Sequence, residues 1–345
     1  MKTDDTFFKH VKGFLTVYLP RHRCCSKNTI KSYRETLNLL RVFLLEEKSI
    51  PFTKISFDVL TNDLICEFLD WLQNARGCSA STRNQRRAAL NAFFNYAAIQ
   101  DPSLMAIYMD MKKIPVQKMG QRNVEYMSET ALKTVFEQPN IAKRNGFRDR
   151  FFMILMYDTG ARVQEILDLK LKDFHLESPT PFVYLTGKGD KTRTVPLLDK
   201  TVEHLNEYLK RFHPKETRRN DMYLFYTVIK GQTGKMSVEN VASFLSRYGK
   251  FAMQVCPEVP PHLHAHMFRH SRAMHLYQMG IPLSYIKDFL GHAHINTTNI
   301  YASADITMMR EALEKVCHES QNKQDSSIPI WQGDEDMILK LCGLK

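Results

Sequence analysis

No run of apolar residues in this chain approaches the ~18 to 20 that a membrane-crossing helix requires, which argues against an integral membrane protein. The opening MKTDDTFFKH lacks the basic-then-apolar pattern of a secretory signal. Cysteine is scarce and unpatterned: seven residues (24, 25, 66, 78, 256, 317 and 342), an odd number with no CxxC pair. That excludes a regular disulfide framework. Most sit in helix-like apolar patterns and read as reduced, small hydrophobes in a cytoplasmic protein. Glycine and proline, 14 of each, are too few for a collagen-like or wholly disordered chain. Internal repeats and low-complexity tracts are also missing.

Acidic residues are in short supply as well: 37 Asp and Glu face 48 Lys and Arg, a net charge of +11. The excess favours a polyanionic partner but separates nucleic acid from a membrane surface only weakly. Its distribution is sharper. Residues 1–118 hold 18 basic and 11 acidic side chains, residues 119–304 hold 25 and 18, and residues 305–345 hold 5 and 8. Two basic bodies, each at +7, are thus followed by a tail at −3. With 345 residues and 43% hydrophobic side chains, the chain has room for about two domains with real cores.

Periodicity makes the first body helical. Phe7, Val11, Phe14 and Tyr18 share a face of a helix that Pro20 is expected to stop. A second helix starts near Thr29, with Ser26 or Asn28 as cap and Ile30, Tyr33, Leu37, Leu40 and Leu44 inward. A third spans 62–76 and stops at Gly77; a fourth begins near Ser81 and carries Leu90, Phe93, Phe94 and Ala97. Four such helices make a compact bundle. At the start of the fourth, Thr82, Arg83, Asn84, Arg86 and Arg87 form a candidate DNA-binding set, because a helix N-terminus already favours phosphate. A solvated polar face is the competing reading.

Residues 112–126, with Pro, Gly and mixed charge, read as an interdomain linker. The second body opens with helices near 129–137 and 148–158, the latter ending at Gly160. PFVYLTG and TRTVPLL form the one convincing hairpin, joined by Lys188-Gly189-Asp190-Lys191. Helices resume at 201–212, 237–254, 265–279 and from Pro282 to Leu290, and another begins near Asn296.

Four short stretches of this body carry candidate chemistry: Thr159-Gly160-Ala161-Arg162-Val163-Gln164-Glu165, Gly187-Lys188-Gly189, His266-Met267-Phe268-Arg269-His270, and Leu290-Gly291-His292 followed nine residues later by Tyr301. Spacing of i, i+3 puts His266 and Arg269 on one helix face. Each alone has an ordinary explanation: a surface ion pair, a solvated hairpin tip, a polar helix face, a packed tyrosine. Coincidence of all four in this order is improbable.

These stretches resemble the catalytic boxes of the tyrosine recombinases, the phage integrase and Xer type of site-specific DNA recombinase. TGARVQEILDL, GKGDKTRTVPL, HMFRH and LGHAHINTTNIY carry the catalytic match. Thr29-Ile30…Tyr33…Leu37 and Ser81-Thr82…Leu90…Phe93-Phe94…Ala97 resemble the family's core-binding domain. The resemblance implies a mainly α chain with a small sheet, folded as a two-domain, C-shaped DNA clamp. Its parts would be a core-binding domain (1–111), the linker (112–126), a catalytic domain (127–318) and a tail (319–345). Functional positions fall on Arg162, Lys188, His266, Arg269, His292 and Tyr301, with Glu165 supporting the first arginine. Phe268 stands where leucine is commoner, and the tail is longer than in minimal members. The partners implied are double-stranded recombination sites and, on synapsed DNA, a homo-tetramer; no cofactor, metal or membrane is expected. A mobile-element integrase or transposase is preferred over a chromosome-dimer resolvase, and the absence of room for an arm-site module before the bundle argues against heterobivalent integrases.

The residue types suit the chemistry. In-line attack on a phosphodiester places extra negative charge on the non-bridging oxygens, which two forked arginines match. Tyrosine, with a reference pKa near 10, needs neighbouring cations and a base to act as nucleophile. The leaving 5′-oxygen needs a proton, a task for Lys188. A phosphotyrosine retains the bond energy, so a second strand's hydroxyl can reverse the step through a Holliday junction without ATP.

Three rivals compete. His262, His264, His266, His270, His292 and His294 superficially resemble a metallo-hydrolase box, but no acidic partner stands within it. A type IB topoisomerase-like relaxing enzyme uses similar residues but does not explain the helical N-terminal body. A DNA-binding regulator would not need six competent catalytic positions. Residues 306–317 are expected to form a helix. The apolar residues from Ile328 to Leu344 in the acidic tail are expected to dock on a neighbouring subunit.

Overall fold

The computed structural model describes residues 6–119, 124–187 and 189–292. Lys188, Tyr301, the expected helix at 306–317 and the tail lie outside the described residues. The chain divides into two compact units, Met1–Gln121 and Arg122–Lys345, with the break inside the segment read as a linker.

The first unit is helical. Helix α1 (Thr6–Gly13) runs on through a π-type segment, Phe14–His22. Pro20 therefore does not end the helix where the sequence reading placed its stop. The wider turn accommodates the proline's missing N–H, and the segment closes at Arg23, whose N–H bonds Tyr18 O. Helices α2 (Lys27–Lys48), α3 (Asn62–Asn74) and α4 (Ala80–Gln100) are capped by Ser26, Thr61 and Ser79. Each cap oxygen accepts from an N–H three residues on. A fifth helix, α5 (Met105–Lys112), was not foreseen. The expected stripes meet in one core, where Phe14, Leu44, Phe68, Phe93 and Phe94 are almost fully buried. Phe7 and Phe14 meet Phe93 edge to face at 5.8 and 5.4 Å between ring centroids.

The second unit builds around α7 (Arg144–Thr159), which follows α6 (Glu129–Glu137) and buries Phe151, Phe152, Met153, Leu155 and Met156. A helix apolar on so many sides belongs at the centre of a domain. After α8 (Val163–Asp168) come strands β1 (Phe174–His175), β2 (Phe182–Thr186) and β3 (Thr192–Pro196), an antiparallel sheet in that order. Val183 faces Val195 and Leu185 faces Arg193. Helix α9 (Asp199–Phe212) precedes a second hairpin, β4 (Tyr226–Ile229) and β5 (Gln232–Lys235), which the sequence reading missed. Its turn, Lys230-Gly231, has φ of 50° and 79°, as a two-residue mirror-image turn requires. The unit continues through α10 (Val238–Val255), α11 (Ala265–Gln278) and α12 (Leu283–Leu290). Ala273, Met274, Ile286 and Leu290 form a small separate cluster that packs α12 onto α11. Five of the cysteines are described, all as free thiols.

Candidate active site

The site is organised by the end of α12. Gly291 stops this helix in the left-handed region (φ 66°), and the N–H of His292 bonds back to Lys287 O at 3.0 Å. Such an end leaves carbonyls without intrahelical partners and carries partial negative charge. Three successive carbonyls are each met by a different arginine. Arg193 Nε donates to Phe289 O at 3.0 Å and Arg269 Nη2 to Leu290 O at 2.7 Å. Arg162 Nη2 reaches Gly291 O at a longer 3.5 Å. His292 follows directly. Three guanidinium groups from α11, β3 and the α7–α8 junction thereby converge on one helix end.

Each arginine is also held from a second direction. Arg269, on α11, is 3% exposed, and its Nη1 donates to Gly160 O at 2.6 Å. Arg162 occupies the cap position of α8, where Glu165 accepts both its backbone N–H (3.0 Å) and its Nη1 (2.7 Å). Glu165 is itself buried and accepts Arg193 Nη2 at 2.8 Å on its second oxygen. Burial alone would raise its carboxyl; Arg193 and then Arg162 outweigh this and hold it below the usual carboxylate range. Glu165 therefore stays ionised, and one carboxylate steers two cations. Gly187, the residue before Lys188, passes against this pair: a Cβ there would lie 2.9 Å from Glu165 Oε1. A side chain at that point would push the hairpin away from Arg162.

The histidines respond to the same charge. Burial, reinforced by Arg269 and Arg162, pushes His292 down to about 4. His266 is lowered by burial and then by Arg269, His264 and Arg162. His270 falls to about 4 by burial and then His266 and Arg269. At neutral pH these rings are uncharged, so each offers one N–H donor and one acceptor nitrogen. Above pH about 6.5 folded and unfolded chains both carry neutral rings. Below it the unfolded chain takes up protons that the folded protein resists, until the folded rings titrate near 4. Denaturation followed in urea should therefore show the second unit losing stability as pH falls from about 6.5 toward 4. A midpoint unchanged between pH about 7 and 5 would contradict the assigned environments.

Of the seven positions expected from the sequence, the structure brings Arg162, Glu165, His266, Arg269 and His292 into one electrostatic neighbourhood. Lys188 and Tyr301 lie outside the described residues. Arg193 was missed. It stands two residues before the inward Val195, so strand alternation placed a cation on the buried face of β3.

The candidate DNA-binding set on α4 has internal partners. Arg86 is buried, donating to Ser32 O and Thr36 Oγ1 at 3.1 Å and pairing with Glu35 at 3.1 Å. Arg83 is buried too, with Asp70 at 3.7 Å. Arg87 Nε donates to Ile114 O at 2.6 Å, and Asn84 exchanges two hydrogen bonds with the backbone of Gln117. Thr82 gives its N–H to Ser79 Oγ, the actual cap, so the helix starts at Ala80 rather than near Ser81. Among the described residues no three His, Cys, Asp or Glu side chains are grouped as a metal site would need.

The phage integrase family model matches residues 125–307, more than half of the chain, and the phage integrase N-terminal SAM-like domain matches residues 14–101. The chain is 30% identical over 306 residues to y4rC of Sinorhizobium fredii (strain NBRC 101917 / NGR234), provisionally named an integrase/recombinase. That alignment covers 88% of this chain and 90% of the relative. It is also 30% identical over 295 residues to tyrosine recombinase XerA of Pyrococcus furiosus, covering 84% and 88%. A crystal structure of XerH site-specific recombinase bound to palindromic difH, a post-cleavage complex, shares the fold at TM-score 0.65. It is 24% identical and the match covers 91% of this chain and 89% of that one. With a family model matching more than half of its length and relatives at 30% identity covered nearly end to end, the chain belongs to the phage integrase family of tyrosine recombinases.

Proposed function

We propose that this chain breaks and rejoins DNA at specific sites through a 3′-phosphotyrosyl bond to Tyr301. The observation that supports the reading most is the convergence of Arg162, Arg193 and Arg269 on the end of α12 beside a neutral His292. Arg162 and Arg269 grip the non-bridging oxygens of the scissile phosphate and take up the charge that grows in the pentavalent state. Neutral His292 donates a hydrogen bond to the same phosphate. Neutral His266 is competent to accept the Tyr301 proton, and Lys188 protonates the departing 5′-oxygen. Glu165 keeps Arg162 oriented.

The partner is duplex DNA, bound by two basic stretches of the sequence, residues 1–118 and 119–304, each with a net charge of +7. On the first unit, half-buried Thr82, Asn84 and Arg87 are the phosphate contacts proposed on α4, while Arg83 and Arg86 brace the helix. Exchange between two duplexes cuts four strands, one tyrosine each, so the working assembly is a tetramer. The programme proposed is action on a mobile element, with resolution of chromosome dimers as the second reading; relatives named integrase/recombinase and tyrosine recombinase XerA both match this chain.

DNA trapped covalently in cells, recovered from the protein and sequenced, separates these two programmes. Peptide mapping of the same adduct should place the DNA on Tyr301, with adduct formation persisting in chelator. DNA on another residue would mean that Tyr301 is not the nucleophile, and loss of the adduct in chelator would return the reading to a metal-assisted hydrolase.

A further inference from the structure

We infer that Arg193 is a positioning residue of the cleavage reaction, fixing the register between the Arg162–Glu165 pair and His292. The inference rests on the proposed DNA-cleaving role of this site. Three observations carry it. Arg193 uses two donors of one guanidinium: Nη2 holds Glu165 Oε2 at 2.8 Å and Nε holds Phe289 O at 3.0 Å. Its side chain is only 13% exposed and stands on the inward face of β3, directly opposite Leu185. The backbone ahead of His292 lies against it, since a Cβ on Gly291 would sit 3.0 Å from Arg193 Cδ and 3.2 Å from Nη1. One side chain therefore ties the Lys188-bearing hairpin, the acid that aims Arg162, and the helix end that presents His292.

The chemistry of the group explains why arginine is required. A guanidinium is planar and always charged, and it holds its Nε and Nη2 donors in a fixed relative geometry. Those two donors reach acceptors on two different elements at once. A lysine retains the charge that compensates buried Glu165 but is a point donor on a flexible stem, able to serve either Glu165 or Phe289 O. Glutamine loses the charge as well. Arg193 is also among the charges that lower His292, after burial and the two arginines of the phosphate clamp.

The test compares Arg193→Lys and Arg193→Gln with the unmodified protein on a nicked duplex carrying the sequence recovered from the covalent adduct. Arg193→Lys should cleave about 10- to 100-fold more slowly while binding the duplex within about threefold of normal, because misplacement of aligned groups costs rate rather than affinity. Arg193→Gln should cleave more slowly still. The His292 imidazole titration followed by NMR in the DNA-free protein should move upward, because one of the cations that lower it is gone. Arg193→Lys should leave it where it is. Because Arg193→Lys keeps a cation against Glu165, it remains informative if Arg193→Gln does not fold. Normal cleavage by Arg193→Lys, or equal losses in the two variants with no movement of His292, would overturn the assignment. Failure of the unmodified protein to form any Tyr301 adduct would instead overturn the proposed function, with the His292 titration still reporting on Arg193.

Discussion

Tyr301→Phe should form no covalent adduct with DNA while binding it as tightly as the unmodified protein. The substitution removes one oxygen and leaves the ring, so shape and charge are preserved and only the nucleophile is lost. Phenol oxygen is a weak nucleophile at neutral pH, its reference pKa being near 10. Around the site described here, three guanidinium groups and one carboxylate leave a net positive field that favours a phenolate. No other group in the proposed mechanism has that duty, so the expected loss is at least about four orders of magnitude, as for removal of a nucleophile elsewhere. Incubation with nicked duplex followed by denaturing electrophoresis reads it directly. A retained adduct in Tyr301→Phe would mean that another residue attacks.

Arg269→Ala should cut the cleavage rate roughly a thousandfold, the upper range for losing one preorganised donor to a developing oxyanion. Two effects need separating. Alanine also strips donors from Gly160 O and Leu290 O, and each unpartnered buried group costs about 1 to 3 kcal/mol. Part of the loss would therefore appear as a lower unfolding midpoint in urea. Arg269→Lys separates the two, since it keeps the cation but cannot hold both carbonyls and offer a fork to phosphate. It should be nearly as slow as alanine and noticeably more stable. Cleavage by Arg269→Lys within about threefold of normal would show that charge alone suffices and that the fork has no role.

Much of this site was legible before any coordinates because its chemistry is carried by residues whose types are costly to place by accident. The boxes around Arg162 and His292 sit where glycines end α7 and α12, and those stops were readable from the sequence. Arg193 escaped because it was read as part of a strand rather than as an inward position within it. Arg83 and Arg86 escaped for the same reason on a helix: with Leu90, Phe93 and Ala97 they follow the i, i+3, i+4 stripe. Both positions fall on the buried face, although charge alone suggested solvent or phosphate. The β4–β5 hairpin was missed because its strands are four residues each, too short for alternation to stand out. Helix α5, eight residues long, has little periodicity to read. Pro20 was assigned its usual effect, and only the tertiary packing of Phe14 and Leu19 shows why the chain winds past it.

The end of α12 has one more consequence. Arg162, Arg193 and Arg269 hang from three neighbouring carbonyls of one eight-residue helix, and that helix is seated mainly by Ala273, Met274, Ile286 and Leu290. A slide or roll of this helix would take one tether from each of the three cations together and carry His292 with it, leaving the holds on Gly160 O and Glu165. Alignment of all three cations thus passes through a single mechanical joint, and a shift there changes the geometry of the whole cluster at once.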